Sequence, residues 1–223
     1  MEKIALIVAG GTGNRMGSAI PKQFMVIAGL PVLMHTIKKF WFFENSIKII
    51  VVLPEDRIKN WKKLCREYKF KIKHTIRKGG ETRYHSVKNG LRGLKPGYLV
   101  AVHDGVRPLV SRNTIKRSFT KAGKTGAAIP VISISESVRF VKGSDNQMVD
   151  RTKYKIVQTP QVFQSELLIK AYRKPFNDSF TDDATVVENI GHKISLVEGN
   201  PENIKITNRL DMIVAEAYFK NTL

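Results

Sequence analysis

The chain has 223 residues and a formal net charge of +19, from 38 lysines and arginines against 19 aspartates and glutamates. Hydrophobic residues make up 42% of it and charged residues 26%, a composition that excludes a disordered chain. The single cysteine, Cys65, excludes an internal disulfide and a cysteine-based metal centre. No apolar run approaches the roughly 20 residues of a membrane span, and the short one after Lys3 does not suit a signal peptide. We therefore expect one cytoplasmic domain, residues 1–223.

The charge is the unusual feature of the composition. A pI of about 10.1 indicates a polyanionic partner, which is a nucleic acid, an anionic membrane surface or a phosphate-rich small molecule. The alternative is a generally basic surface with no specific partner.

Strand and helix patterns alternate along the first part of the chain. Apolar runs predict strands at residues 4–9, 47–53, 70–76, 98–102 and 127–131. Helical spacing of apolar residues predicts helices at residues 33–43, 58–68, 81–94 and 113–121. This repeat predicts an α/β fold, a single Rossmann-like domain whose mostly parallel sheet carries helices on both faces. Ligands of such sheets bind at the carboxyl ends of the strands.

The alternation stops at Ile132. Residues 133–158 are polar, with β-like stretches at 137–141 and 155–158 around a turn at 143–146. They predict a two-stranded β-arm that protrudes from the domain. Because isolated hairpins are marginally stable in water, we expect the arm to pack on a second subunit. Beyond it, the pattern predicts helices at 165–172, 182–190 and 208–219 and a strand at 193–197.

A glycine-rich loop follows the first predicted strand, with the sequence Ala9-Gly10-Gly11-Thr12-Gly13-Asn14-Arg15-Met16-Gly17. Glycines there let backbone amides approach an anion closely, which predicts a phosphate-binding loop; a plain tight turn is the alternative. The loop lacks the Walker lysine, and Met16 replaces the third glycine of the dinucleotide fingerprint. Two cations, Arg15 and Lys22, suit the stabilisation of a transferring phosphoryl group.

Other polar segments fall at predicted strand ends or loops, namely residues 79–86, 103–108, 149–151, 158–161, 181–184 and 203–207. Asp104 follows a buried strand, which is a common place for a magnesium ligand, although a capping aspartate is the alternative. The other segments also have ordinary explanations, such as a helix N-cap at Thr181 or a solvated charge at Arg151.

Taken together and in this order, these segments resemble the 2-C-methyl-D-erythritol 4-phosphate cytidylyltransferase family over nearly the whole chain. The matching pieces are the Ala-Gly-Gly-Thr-Gly-Asn-Arg-Met loop, Pro21-Lys22-Gln23, Gly79-Gly80 with Arg83 and Ser86-Val87, His103-Asp104 with Arg107-Pro108, Val149-Asp150-Arg151, Thr159-Pro160-Gln161, Thr181-Asp182-Asp183-Ala184 and Asn203-Ile204-Lys205-Ile206-Thr207. The resemblance implies transfer of a cytidylyl group from CTP to methylerythritol phosphate, with release of pyrophosphate, in isoprenoid precursor biosynthesis.

The resemblance also implies residue roles. It implies that Arg15 and Lys22 stabilise the transition state at the α-phosphate. The implied nucleotide contacts are Ala9, Gly10, Gly11, Thr12, Gly13, Gly80, Glu81, Ser86 and Asp104, and Asp104 is also the implied ligand of Mg²⁺ or another divalent cation. The implied sugar-phosphate contacts are Arg107, Ser137, Arg151, Thr181 and Lys205. In the family the arm embraces a second subunit, which implies a homodimer in which Arg151 acts in the partner's site.

The sequence departs from the family at two places. Gly105-Val106 stands where the family often has two alanines, and Glu136-Ser137 stands where it often has Asp-Thr. Ribitol-5-phosphate cytidylyltransferases share the fold and the first loop, but residues 149–151 and 203–207 favour methylerythritol phosphate.

Two hypotheses from other functional classes remain. A basic nucleic-acid-binding protein would concentrate its charge on one stripe, whereas these lysines scatter over predicted helix faces. We therefore expect neither a nucleic-acid nor a membrane partner. A Rossmann oxidoreductase is disfavoured by the missing third glycine of the first loop.

Overall fold

The computed structural model describes residues 1–11 and 20–221. The strands in these ranges are β1 (Glu2–Val8), β2 (Val26–Ile27), β3 (Leu30–Pro31), β4 (Lys48–Leu53), β5 (Thr75–Lys78), β6 (Tyr98–Asp104), β7 (Ala127–Ser133), β8 (Arg139–Lys142), β9 (Asp145–Met148), β10 (Lys155–Val157), β11 (Gln161–Gln164) and β12 (Ser195–Glu198). The helices are α1 (Val32–Phe43), α2 (Glu55–Glu67), α3 (Arg83–Leu91), α4 (Arg112–Thr125), α5 (Ser165–Ala171), α6 (Asp183–Glu188) and α7 (Arg209–Asn221).

Eight of the described strands form one mixed sheet, in the order β10-β7-β11-β6-β1-β4-β5, with β12 also paired to β7. Strands β1, β4, β5 and β6 run parallel to their neighbours in this group, as does β12 along β7. Strands β10 and β11 run antiparallel. The predicted α/β architecture with a mostly parallel sheet is confirmed.

The core lies on both faces of the sheet, because alternate residues of a strand point to opposite sides. From β1, Ala5 and Ile7 join the buried cluster that includes residues of α1, α2 and α4. Ile4 and Leu6 join the opposite cluster, which includes residues of α3, α5 and α6. Both faces of β1 are thus covered, which explains why this strand is a continuous apolar run rather than an alternating one.

The strand predicted at residues 70–76 is wrong in its first part. Phe70, Lys71, Ile72 and Lys73 alternate as a strand would, but pairing with β4 begins only where Thr75 lies opposite Ile50. The alternation belongs to a segment whose apolar side chains, Phe70 and Ile72, pack against the core although its backbone does not pair with β4.

The prediction for the arm needs correction in its pairing. The two-stranded ribbon joins β8 to β9, and all eight residues of these strands are exposed. The stretch predicted to belong to it at 155–158 instead gives β10, which pairs with β7 of the main sheet. Strand β11 was not predicted, because four residues with a glutamine at each end carry little periodicity.

The strand ends bring the polar segments together. In the register of β1 and β6, Val8 lies opposite Asp104, so the first loop and the end of β6 leave the sheet side by side. On the side of β1 away from β6, strands β4 and β5 end together, with Leu53 opposite Lys78. In the described part of the chain, no helix is long and apolar enough to cross a membrane.

Candidate active site

A cleft of about 260 Å³ opens at the carboxyl ends of these strands. Its described lining is Val8, Ala9, Gly10, Gly11, Lys22, Gln23, Gly80, Glu81, Thr82, Arg83, Ser86, Asp104, Val106 and Lys205. Nine of the sequence-predicted site residues are therefore neighbours here: Ala9, Gly10, Gly11, Lys22, Gly80, Glu81, Ser86, Asp104 and Lys205. Three others, Thr12, Gly13 and Arg15, lie outside the described residues.

The first loop is anchored to its neighbours as it leaves the sheet. The Ala9 N–H donates to Val52 O at 2.9 Å, and the buried Gln23 Nε2 donates to Ala9 O at 3.0 Å. A Cβ added to Gly11 would lie 3.4 Å from Lys22 Cε, so the loop backbone and the lysine stem are in contact. This arrangement holds backbone amides and a cation beside one another, which suits a phosphate group.

The second wall of the cleft is the loop before α3. The Gly80 N–H donates to Ser86 Oγ at 3.1 Å, and Asn89 Nδ2 donates to Gly79 O at 3.1 Å. A Cβ added to Gly80 would lie 2.4 Å from His85 Cβ, so this position requires glycine. The loop therefore presents its backbone to the cleft in one fixed shape.

Asp104 lies at the centre of three cations. Its Oδ2 is 3.1 Å from Arg107 Nε and 3.1 Å from Lys205 Nζ, and its Oδ1 is 3.5 Å from Arg83 Nε. Burial alone would raise the pKa of Asp104, but Arg83, Lys205 and Arg107 hold that pKa well below its usual range. The carboxylate stays ionised and orients the cations that surround it.

The buried side chain of His103 holds the backbone next to this cluster. The imidazole is fully buried, with Nδ1 at 3.0 Å from Thr159 Oγ1 and Nε2 at 3.1 Å from Arg107 O. Because a carbonyl oxygen only accepts, the neutral tautomer with its proton on Nε2 satisfies both contacts. Burial lowers the pKa of His103 to about 4, so the ring is neutral at pH 7 and serves to hold the backbone of Asp104 and Arg107.

Arg83 makes a second, stronger ion pair beside the cleft. Its two terminal nitrogens lie 2.8 and 2.7 Å from the two oxygens of Asp183, which is fully buried at the start of α6. Burial opposes the charge of Arg83, but Asp183 and Asp104 raise the pKa of Arg83 above its usual range. Arg83 thus connects the start of α3 to the start of α6.

The departure at Gly105-Val106 has a visible packing reason. A Cβ at Gly105 would lie 2.8 Å from Ala9 Cβ, and the Gly105 N–H donates to Val8 O at 2.8 Å. The glycine therefore lets the end of β6 close against the first loop. Val106 is buried in a small cluster with residues that include Val32 and Ile206, and it lines the cleft.

The remaining predicted residues lie at or beyond the edge of the cleft. Arg107 donates to Asp104 and, through Nη1, to Asn203 O at 2.7 Å, so two of its donors are engaged within the protein. Thr181 lines a small cavity of about 20 Å³ that also borders Arg83. Ser137 and Arg151 are exposed on the arm and are not among the described residues that line the cleft.

Sequence reasoning gave no role to three cleft residues that the structure makes prominent, Gln23, Arg83 and Val106. It also missed Asp183, the partner of Arg83. The only signal was that Gln23, Arg83 and Asp183 stand inside the segments that carry the family resemblance.

The geometry suits a polyphosphate, since backbone amides and cations meet at one sheet edge, and the comparisons with known proteins agree. The family model described as IspD, 2-C-methyl-D-erythritol 4-phosphate cytidylyltransferase, matches residues 3–221. The chain belongs to this family. An IspD relative named 2-C-methyl-D-erythritol 4-phosphate cytidylyltransferase, from Bacteroides fragilis, is 52% identical over 217 residues, which cover 97% of this chain and 99% of the relative.

Solved IspD structures share the fold. The crystal structure of 2-C-methyl-D-erythritol 4-phosphate cytidylyltransferase from Thermus thermophilus matches with a TM-score of 0.80 at 32% identity, covering 99% of this chain and 100% of that one. The structure of 4-diphosphocytidyl-2C-methyl-D-erythritol synthase from Anaerococcus prevotii matches with a TM-score of 0.82 at 28% identity, covering 98% of each chain. The chain is thus a cytidylyltransferase of the IspD family, and the family match extends over residues 3–221.

Proposed function

We propose that this chain transfers the cytidylyl group of CTP to 2-C-methyl-D-erythritol 4-phosphate and releases pyrophosphate. The observation that carries the proposal is the single cleft in which the first-loop backbone, Lys22, the Gly80 loop and Lys205 meet. Membership of the IspD family supplies the two substrates. Neither ribitol phosphate nor a nucleic acid is favoured as the natural partner by the named relatives.

The chemistry is one in-line displacement. A phosphate oxygen of the sugar phosphate attacks the α-phosphorus of CTP, a new P–O bond forms, and the bond from that phosphorus to the bridging oxygen of pyrophosphate breaks. The second pKa of a phosphate monoester is about 6, so the nucleophile is largely ionised at neutral pH and needs no general base. The remaining problem is the approach of two anions, which cations of the cleft must offset.

We assign that task to Lys22 and Arg15. Lys22 lines the cleft beside the first loop, and its stem contacts Gly11. An ammonium in that position stabilises the charge that builds on the α-phosphate and on the departing pyrophosphate. Arg15 is assigned to the same task from the family resemblance alone, since it lies outside the described residues.

The nucleotide is assigned to the two loops that face each other across the cleft. Backbone amides at Gly10 and Gly11, with Thr12 and Gly13 of the same loop, would hold the triphosphate. Gly80, Glu81 and Ser86 would recognise cytosine and its surroundings. The hydrogen bond from the Gly80 N–H to Ser86 Oγ supports this assignment, because it fixes the shape of the loop before the base arrives.

A divalent cation fits this site only with the help of the substrate. Across residues 1–11 and 20–221, no three His, Cys, Asp or Glu side chains are grouped in a way that could hold a metal. Asp104 supplies one carboxylate in the cleft, and among the described residues the ion-pair contact of its Oδ1, 3.5 Å to Arg83 Nε, is longer than the two 3.1 Å contacts of its Oδ2. Mg²⁺ is commonly held by one or two carboxylates together with substrate phosphates and water. We therefore assign Asp104 to the ion, which would neutralise phosphate charge when bound.

The sugar phosphate is assigned to Lys205, Thr181 and Arg107 of one subunit. The side chain of Lys205 is 43% exposed and lines the cleft, where its Nζ contacts Asp104. It is therefore accessible to an incoming phosphate. Arg107 supports the same region through its contacts with Asp104 and Asn203.

Ser137 and Arg151 are assigned to the sugar phosphate of a second subunit. Both are exposed, and the ribbon formed by β8 and β9 leaves Phe140, Val141 and Met148 exposed, which an isolated hairpin in water does not favour. A homodimer that covers this ribbon would bring Arg151 to the partner's cleft. The cytoplasm stays the expected location of the reaction.

The test is a pyrophosphate-release assay with Mg²⁺ and each of the four nucleoside triphosphates. Methylerythritol phosphate and ribitol 5-phosphate serve in parallel as acceptors. We expect the highest kcat/KM for CTP with methylerythritol phosphate. A higher kcat/KM with ribitol 5-phosphate would overturn the substrate assignment, and no release with either acceptor would overturn the activity.

A further inference from the structure

The ion pair between Arg83 and Asp183 joins two parts of the cleft that the proposed function gives to different substrates. Arg83 is the first residue of α3, directly after the loop assigned to cytosine. Asp183 is the first residue of α6, two residues after Thr181, which is assigned to the sugar phosphate. The two residues are 100 positions apart in the sequence, and the contact is bidentate.

The carboxylate of Asp183 is held by Tyr172 as well as by Arg83. The carboxylate is fully buried, and its Oδ1 also accepts from the Tyr172 hydroxyl at 2.6 Å. A bidentate pair between a guanidinium and a carboxylate fixes angles as well as distance. The pair therefore ties the orientation of Arg83 to the start of α6.

The helix that carries Asp183 is fixed to the sheet at the same point. Gln161 Nε2 donates to Asp182 Oδ2 at 2.7 Å, and Gln161 Oε1 accepts from the Ala184 N–H at 2.9 Å. Across the small cavity that Thr181 and Arg83 share, Tyr84 of α3 stacks on Tyr172 with ring centroids 4.8 Å apart. The first residues of α3 and α6 are thus packed together with Tyr172.

Arg83 also belongs to a line of alternating charges that crosses the cleft. The line runs from Asp183 to Arg83, then to Asp104 and finally to Lys205. Without Asp183, the guanidinium would have Asp104 as its remaining partner in this line, in competition with Lys205. Asp183 therefore determines how much of the Asp104 charge is left to hold Lys205 in place.

We propose that Asp183 is a positioning residue that couples the binding of the two substrates. Contacts of CTP with the Gly80 loop fix Arg83, and through Asp183 they fix Thr181 and the balance between Asp104 and Lys205. The sugar phosphate then binds to a site that is already ordered. This inference rests on the proposed function, because it takes its two substrates from there.

Coupling of this kind is measured as a ratio of affinities and is reciprocal. Isothermal titration calorimetry with Mg²⁺ would give the Kd of methylerythritol phosphate alone and with the analogue of CTP that has a methylene group between the α- and β-phosphorus. We expect the Kd to fall on the order of tenfold when the analogue is present. In Asp183→Asn, we expect the ratio of the two Kd values to fall to about 1.

The ratio of the two Kd values distinguishes a positioning role of Asp183 from a general loosening of the structure. A variant that is merely loosened loses affinity with and without the analogue, and its ratio stays at the wild-type value. A wild-type ratio in folded Asp183→Asn would overturn the proposal, as would the absence of coupling in the wild-type protein.

Two further variants complete the design. If Asp183→Asn does not fold, Tyr172→Phe takes its place, because it removes only the hydrogen bond from the Tyr172 hydroxyl to Asp183. A ratio of Kd values reduced at least about threefold would support the proposal, and an unchanged ratio would overturn it. Glu44→Gln is the matched control, because it breaks the 2.7 Å ion pair with Lys3 at the opposite end of the sheet. We expect that control to keep the wild-type ratio, and a lost ratio there would overturn the assignment to Asp183.

Failure of the inference differs from failure of the proposed function. Pyrophosphate release by the wild-type protein with an unchanged ratio in Asp183→Asn removes only the coupling. Absence of pyrophosphate release by the wild-type protein removes the substrates themselves.

Discussion

Gly80→Ala tests whether the loop before α3 binds the nucleotide. The added Cβ would lie 2.4 Å from His85 Cβ and 3.0 Å from the His85 carbonyl carbon, which belong to the first turn of the helix. Carbon atoms in ordinary contact are about 3.5–4.0 Å apart, so the loop or the helix start must move by more than about 1 Å. A displacement of about 1 Å at a binding site can reduce the rate about 10²-fold.

We therefore expect kcat/KM for CTP to fall about 10²-fold in Gly80→Ala. The free energy of unfolding should fall by about 1–3 kcal/mol, the usual cost of an overpacked site. Initial rates of pyrophosphate release at varied CTP and saturating methylerythritol phosphate measure the first quantity, and urea unfolding measures the second.

The matched control is Gly123→Ala in α4. Its Cβ would meet Leu99 Cδ1 at an ordinary 3.6 Å, and alanine is the better helix former, so activity should not change. A folded Gly80→Ala protein with the wild-type kcat/KM for CTP would refute the assignment of this loop to the nucleotide.

Three other predictions concern charge. Lys22→Ala should lower kcat about 10²-fold or more through loss of a preorganised charge partner, with Lys71→Ala as the control; equal kcat in both would contradict the assignment. Arg151→Ala should raise KM for the sugar phosphate on the order of tenfold at saturating CTP, whereas Arg139→Ala on the same arm should not, and an unchanged KM would contradict it. The pKa of His103 falls to about 4 in the folded protein. The unfolded chain, with a histidine pKa of about 6.5, therefore binds the proton first as pH falls, so this residue should lower the free energy of unfolding by about 2 kcal/mol between pH 7 and pH 5. Urea unfolding at the two pH values measures the change, and equal stability would contradict it.

The strands at the centre of the fold were predictable from the sequence because they are buried on both faces. Strand β1 is an unbroken apolar run, and such runs are typical of parallel sheets between layers of helices. The short strand β11 was not predictable, since its position depends on pairing with β6 and β7 rather than on its own pattern.

The arm shows where local patterns stop being informative. The stretches at 137–141 and 155–158 both have β-like composition, which indicates strands but not their partners. The partner of Lys155 is Ser133 in β7, and that pairing depends on how the chain returns to the main sheet. Strand register is a property of two segments, and a single segment does not contain it.

The site was predictable at the level of segments rather than contacts. The glycines, Lys22, Asp104 and Lys205 stand at chain positions that a parallel sheet brings to one edge. That Asp104 would face three cations could not be predicted, because Arg83 and Lys205 come from segments on either side of β6 in the sequence. The pair of Arg83 with Asp183 likewise depends on the packing of α3 against α6.

The central claim is that a phosphate oxygen of the sugar phosphate attacks the α-phosphorus of CTP. The direct test uses methylerythritol phosphate in which all three non-ester oxygens of the phosphate group are ¹⁸O, with ³¹P NMR and mass spectrometry of the products. We predict that all of the label stays in the CDP-methylerythritol product, including the oxygen that bridges its two phosphorus atoms. The released pyrophosphate should contain none. Label in the pyrophosphate, or unlabelled bridging oxygen in the product, would contradict the account.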